Sequence, residues 1–533
     1  MNRITLLGFL FLSLLWQSCD NAKASDTGDS VSNSTDETGY YQEDHRLQYH
    51  FSPEEGWIND PNGMVYYDGE YHLFYQYYPY ATVWGPMHWH HAVSKDMVHW
   101  EHLPVALYPD KLGMIFSGSA VVDKNNTAGF KTGEEDPLIA IYTYHDMVGE
   151  KLGRSDYQTQ GIAYSNDKGR TWTKYAGNPV VKNPGFKDIR DPKVVWHEPS
   201  QQWVMVLSRG SVMQFYNSPD LKNWKLTSDF GEGQGNHGGV WECPDIFSLP
   251  IDGNENNQKW VLIVNMNPGG PNGGSGTQYF IGDFDGKKFT NDNSPTDLLY
   301  ADFGKDNYAG VTWSDIPSED GRRLFIGWLS NWQYARDVPT HPWRNAMTLP
   351  RELNLKTTPS GIRLFSTPVK ELEKLRTQTN QIAAQSISNK EVSILSNGID
   401  ASQSELELTF DMSKTDAKSF GIKLSNAKGE VVRFAYEQES GLFIFDRTQS
   451  GKIQFSNEFP GLQFIPRILD NNIMKLQIFI DRSSMEVFAD DGHSIITNIF
   501  FPTEDYNQIT LYADHGNAEL VSGNIYALKG IWK

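Results

Sequence analysis

The sequence predicts an all-β protein, a β-propeller followed by a C-terminal β-sandwich, and three observations carry that expectation. From about residue 44 to residue 352, short apolar and aromatic runs are broken by Gly, Pro, Asn and Asp with no sustained helical period. Within that region a weak repeat recurs: Ser94 and Asp96 lead to Trp100, Ser165 and Asp167 to Trp172, Ser218 and Asp220 to Trp224, and Asp285 to Phe289. After residue 381, alternation of apolar and polar residues resumes between polar turns, as in the faces of a sandwich.

The elements follow in chain order. Arg3 precedes an apolar run over residues 4–16, too short to span a bilayer and built like the core of a secretory signal, so residues 1–18 are expected to be a signal peptide. Ser18 followed by Cys19 resembles the cleavage and lipidation site of a bacterial lipoprotein. The chain is therefore expected to be exported and held in the cell envelope through lipid on Cys19. Residues 19–43 are Ser, Thr, Asp, Asn and Gly with little apolar content, and read as a disordered tether.

Residues 44–355 form the expected propeller. Strand candidates include residues 71–77, 138–144, 203–207, 260–265 and 324–328, and the Trp spacing matches one four-stranded sheet with its loops each time. Blades of that size fit the region about five times, although the spacing alone also admits a sandwich. In residues 356–381, Val369, Leu372 and Leu375 suggest an amphipathic linker helix. Residues 382–533 read as the sandwich, with strand candidates at 406–410, 434–437, 442–445, 476–480, 485–488 and 495–499, and support of the first domain as its expected role.

Composition narrows the ligand. A formal charge of -20 argues against nucleic acid, because phosphate backbones are bound by clustered Lys and Arg. The aromatic share of 13%, with 16 Trp and 25 Tyr, suits a β-rich protein whose exposed rings stack on sugars. The two cysteines, Cys19 and Cys243, exclude a disulfide framework. Cys243 reads as a small packing residue rather than a nucleophile, since no local motif pairs it with a base.

Three stretches share one build: an acid at or just before a proline in a β-rich setting. They are WINDPNG around Asp60, residues 190–193 around Asp191, and WECPD around Glu242. In a propeller the innermost strands surround the axis, so Asp60, Asp191 and Glu242 are expected to meet at one mouth of the channel as the carboxyl groups of a glycoside hydrolase.

With these motifs in hand, the chain resembles glycoside hydrolase family 32, the invertase, inulinase and levanase group. WINDPNG, the FSGS stretch at residues 116–119, RDPK at 190–193, WECPD at 241–245, TLPREL at 348–353 and DRSSMEVF at 481–488 lie in the family's order. The resemblance implies a five-bladed propeller joined to a sandwich and a retaining fructosidase that releases fructose from fructans such as levan or inulin, and from sucrose. It assigns Asp60 as nucleophile, Glu242 as general acid and base, and Asp191 as the acid that binds fructose hydroxyls. It also places Asn59, Gln76, Trp84, Phe116, Ser117, Arg190, Trp313 and Trp332 around the fructose ring. No cofactor and no metal is implied. His90 stands where the family more often has Gly, which bears on the local loop and on the leaving-group side of the pocket; His88, His90 and His91 form no completed metal pattern.

The chemistry asks for the same residues. Positive charge develops at the anomeric carbon, so one carboxylate must be unprotonated, and Asp60 is suited to it. The departing oxygen needs a proton from a second carboxyl of raised pKa, a task for Glu242. Arg190 is expected to keep Asp191 ionised. Rival readings are an endo-acting levanase or inulinase, a propeller glycosidase for arabinan or xylan, and a sugar-binding lipoprotein with a dead site.

Overall fold

The computed structural model describes residues 39–469 and 471–532. The signal peptide, Cys19 and most of the tether lie outside the described residues. Residues from Tyr40 onward form one compact unit. The end of the expected tether is already part of it: Tyr41 is buried, its ring stacked 4.0 Å from that of Trp532.

The propeller has five blades. Blade one contains β1 (Gly56–Tyr67), β2 (Glu70–Tyr78), β3 (His88–Ser94) and β4 (Trp100–Leu107). Blade two contains β5 (Met114–Val122), β6 (Leu138–His145), β7 (Gln158–Ser165) and β8 (Thr173–Lys174), with the short helix α1 (Met147–Lys151) between β6 and β7. Blade three is β9 (Ile189–His197), β10 (Gln202–Arg209), β11 (Val212–Ser218) and β12 (Lys225–Phe230). Blade four is β13 (Val240–Ile251), β14 (Asn254–Asn267), β15 (Gly276–Phe284) and β16 (Phe289–Asn291). Blade five takes β17 (Tyr308–Thr312) and β18 (Arg323–Leu329), the short β19 (Trp343–Arg344) and β20 (Ala346–Met347), then β21 (Arg351–Thr358) and β22 (Gly361–Pro368). Each blade is an antiparallel meander. The ring closes where β19 pairs in parallel with β1 and where Ser314 exchanges backbone hydrogen bonds with Met64 and Tyr66.

Sequence and burial agree on why these segments are strands. A middle strand lies between neighbouring blades, so both its faces are covered and it reads as a continuous apolar run. The eight residues of β6, LIAIYTYH, are all buried. Outer strands such as β4 are partly exposed along most of their length. The repeat seen in the sequence is the turn from third to fourth strand. Asp96 accepts from the amides of Val98 and His99, Asp220 from those of Lys222 and Asn223, and Asp285 from those of Lys287 and Lys288.

The linker helix is not formed. Residues 356–381 hold the end of β21, all of β22, one 3-10 turn over Lys370–Leu375, and most of β23 (Arg376–Ile382). Val369, Leu372 and Leu375 are buried at a spacing of three, which a 3-10 turn satisfies as well as an α-helix does.

The sandwich continues with β24 (Gln385–Ser393), β25 (Ser404–Asp411), β26 (Ser419–Ser425), β27 (Val431–Glu437), β28 (Leu442–Gln449), β29 (Leu462–Pro466), β30 (Ile473–Asp481), β31 (Ser484–Ala489), β32 (Ser494–Ile499) and the 21-residue β33 (Gln508–Leu528). β33 serves both layers: its first half pairs with β26 and its second with β25 and β23. Buried polar groups join the domains. Asp481 accepts from the amides of Gln48 and Tyr49 and from His50 Nδ1 at 2.8 Å; Glu486 accepts from the Leu349 amide and Arg351 Nη2, each at 2.7 Å. Arg447 of the sandwich donates to Asp306 at 2.7 Å and to the Tyr334 hydroxyl at 2.8 Å.

Candidate active site

All five innermost strands carry one extra residue at corresponding places in the ring. Pairing shows the insertion at Asn59–Asp60 in β1, Phe116–Ser117 in β5, Asp191–Pro192 in β9, Cys243–Pro244 in β13 and Ala309–Gly310 in β17. Such bulges re-aim side chains and are enriched beside active sites. Asp191, Cys243 and Ala309 take φ of 65°, 41° and 53°, a conformation that costs free energy for residues other than glycine. The prolines after Asp60, Asp191 and Cys243 fit because at these positions each innermost strand pairs on one side only, so a missing N–H can be accommodated at the bulge.

The bulges bring the three acids together. Asp60 Oδ2 accepts from Ser117 Oγ at 2.6 Å, and Oδ1 from Asn59 Nδ2 at 2.9 Å. Cys243 Sγ lies 3.4 Å from Asp60 Oδ2 and 3.5 Å from Asp191 Oδ2, and its backbone N–H donates to Asp191 Oδ2 at 3.0 Å. Glu242 Oε1 accepts from Arg190 Nε at 3.1 Å and Nη2 at 2.9 Å, while Oε2 accepts from the Tyr308 hydroxyl. A second Arg190 branch is held by Asp188 at 2.7 Å. All three acids line a cavity of about 380 Å³ with Asn59, Gln76, Trp84, Phe116, Ser117, Arg190 and Trp332.

Burial dominates the electrostatics. It raises the Asp60 carboxyl above its usual range against the hydrogen bonds of Ser117 and Asn59, with Glu242 adding to the rise. Burial pushes Asp191 up to about 7; Arg190 opposes this, and the neighbouring charges of Glu242 and Asp60 reinforce it. The expectation that Arg190 keeps Asp191 ionised is therefore corrected. The guanidinium hydrogen-bonds Glu242 and Asp188, and its charge does not offset the desolvation of Asp191. The Cys243 thiol is pushed well up by burial and then by the two aspartates, so it stays neutral and acts as a weak donor between them.

One expectation fails on position. Trp313 is fully buried, donates Nε1 to the His72 carbonyl at 2.9 Å and packs in the core of blades one and five, away from the cavity. His90 lies within β3, opposite Tyr75 and against the rings of Tyr75 and Tyr77. Its neighbours also have internal partners: His88 Nδ1 meets the Pro86 carbonyl, and His91 stacks on Phe74.

Sequence reasoning missed several site residues. Tyr308 begins the fifth inner strand, which like β5 brings no acid to the cavity, so no acid motif marks it. Asp188 holds Arg190, and Gln158 holds the amide of Ile189 just before it. His145 stacks on Phe116 with centroids 4.4 Å apart, and Asn267 and Arg336 complete the rim.

Comparison with known proteins agrees with this architecture. The model of the glycosyl hydrolases family 32 N-terminal domain matches residues 50–368, and that of the family's C-terminal domain matches residues 371–527. A levanase of Bacillus subtilis (strain 168) is 53% identical over 497 residues, covering 93% of this chain and 72% of the relative. An extracellular exo-inulinase of Aspergillus awamori is 40% identical, covering 92% and 96%. The crystal structure of exo-inulinase from Aspergillus awamori superposes with a TM-score of 0.84 at 38% identity, covering 92% of this chain and all of that one. That of fructofuranosidase from Schwanniomyces occidentalis complexed with fructose gives 0.83 at 34% identity, covering 93% and 100%. With both domain models matched in order across almost all of the described residues, the chain belongs to glycosyl hydrolase family 32 and is a glycosidase.

Proposed function

We propose that this protein hydrolyses terminal β-D-fructofuranosyl bonds of levan- or inulin-type fructans, and of sucrose, with retention and release of fructose. The observation that supports this best is the convergence of Asp60, Asp191 and Glu242 on one cavity, each brought there by a bulged inner strand in a fold that matches fructan-degrading relatives. In this reading the Asp60 carboxylate attacks the anomeric carbon while Glu242 gives its proton to the departing glycosidic oxygen. Glu242 then takes a proton from the water that displaces Asp60, and fructose leaves. Asp191 and Asn59 meet ring hydroxyls. Gln76 has an Nε2 with no protein partner and can donate there too. Trp84, Phe116 and Trp332 cover the apolar face of the sugar. Exo action fits a ring of contacts built around a single chain-end unit.

The signal peptide and lipid on Cys19 remain part of the proposal. They make this an exported enzyme anchored to the bacterial envelope, and relatives named as extracellular support the export. Mass analysis of the mature N-terminus tests the lipid. For the reaction, fructose release from levan, inulin and sucrose is measured on the wild type and on Asp60→Asn and Glu242→Gln. Each variant is expected to stay folded and lose turnover by on the order of a thousandfold or more. Near-normal turnover in either removes that residue from its role.

A further inference from the structure

Blade one carries aromatic side chains outward from the cavity wall to the protein's surface. In the ladder Ile58, just before Asn59 and Asp60, pairs with Tyr77, and Tyr77 pairs with His88. Trp89 pairs with Leu107, which brings Tyr108 beside His88, with ring centroids 5.4 Å apart. Tyr80 approaches the same imidazole at 6.2 Å and Tyr78 at 5.6 Å between ring centroids. The loop between β2 and β3 that carries Trp84 into the cavity is pressed onto this group: a Cβ on Gly85 would meet the Tyr78 ring at 2.8 Å.

The middle of this row is buried and its ends are not. His88 is 4% exposed, whereas Tyr80 is 73% and Tyr108 is 55% exposed. Packing explains the imidazole, but it does not explain two tyrosines left in water beside it. Tyr108 is also held in place, because Lys174 Nζ donates to its carbonyl and to Asp110 at 2.7 Å. A rigid phenol ring presents an apolar face and one hydroxyl, which matches a sugar unit at small entropic cost.

We propose that Tyr80 and Tyr108 form a track for the fructosyl units that lie beyond the cleaved bond, continuing the wall begun by Trp84. The occupant is the rest of the same polymer whose end sits in the cavity, so the inference rests on the fructosidase reading above. The track is expected to add affinity for a chain and not for a disaccharide, because neither tyrosine lines the cavity itself.

The test compares polymer with sucrose on the full-length protein. For Tyr80→Ala/Tyr108→Ala, kcat/KM on levan or inulin is expected to fall about tenfold, mainly through KM, with sucrose hydrolysis within twofold of wild type and the melting temperature unchanged. Tyr80→Phe/Tyr108→Phe is expected to keep at least half of the polymer activity, because the ring and not the hydroxyl provides the surface. Equal losses on polymer and sucrose, or no loss on polymer, would overturn the track while leaving the fructosidase reading intact. Failure of the wild type to release fructose from any of the three substrates would overturn that reading and the track with it.

Discussion

Asp191 shows what the site costs at the scale of one residue. Its carboxyl is nearly inaccessible, and burial lifts it to about 7 from an ordinary 3.8. The unfolded chain therefore releases this proton near pH 4, while the folded protein keeps it until about pH 7. The resulting destabilisation is absent below pH 4, grows through that window and is complete above it. Asp191→Asn is accordingly expected to be more stable than wild type at pH 8 by about 2 kcal/mol, with the gap shrinking at pH 5, while activity is lost. Urea denaturation at the two pH values checks it, and an equal gap at both would show that ionisation is not the cause. The acids were legible in the sequence because each lies at or just before a proline within a β-run, a combination that strands tolerate at edges and bulges. Trp313 was misread because an indole in a core and an indole in a sugar pocket look the same without neighbours. Tyr308 carried no motif of its own, since its role depends on Glu242 of the neighbouring inner strand β13.

At the scale of elements, the inner strands are tied together below the acids. Lys193, two residues after Asp191, donates to Asp245 of β13 at 3.2 Å and to the Thr312 carbonyl of β17 at 2.7 Å. The last residues of RDPK and WECPD are thus partners, which explains why both stretches extend past their acids. Both charges are buried, and burial lowers the Lys193 amine. Lys193→Met is expected to cost about 3–5 kcal/mol by leaving Asp245 buried without its cation, and Lys193→Met/Asp245→Leu to recover part of that loss. Denaturation midpoints of the single and double variants decide it; a double variant as weak as the single would argue against the pair. Strands and turns were readable from period and turn chemistry. The segment after β21 was not, because three apolar residues spaced by three suit a single 3-10 turn between strands as well as a helix.

At the scale of the whole molecule, the sandwich holds the propeller through buried charge. Burial alone would lower the His50 pKa, but the hydrogen bonds its imidazole donates to Asp481 and Glu486 outweigh that and raise it to about 9. A histidine raised above its unfolded value stabilises fully below about pH 6.5, and that stability is lost as pH rises through about 9. Wild type is expected to lose on the order of 3 kcal/mol over this range from His50 alone, and His50→Gln to show a flatter profile. Thermal melts from pH 6 to 10 measure it, and parallel curves would refute the role. DRSSMEVF could be recognised as a motif, but its task could not be read, because its partners in the propeller domain lie 135 to 436 residues away in the chain.

The five inner-strand insertions divide the molecule into a fixed chassis and an exchangeable collar. Every acid rides on backbone locked between blades, whereas Trp84, Trp332 and Arg336 come from connections between strands. Grafting those connections from one relative onto another should therefore retune which polymer is accepted while the bond-breaking core stays in register.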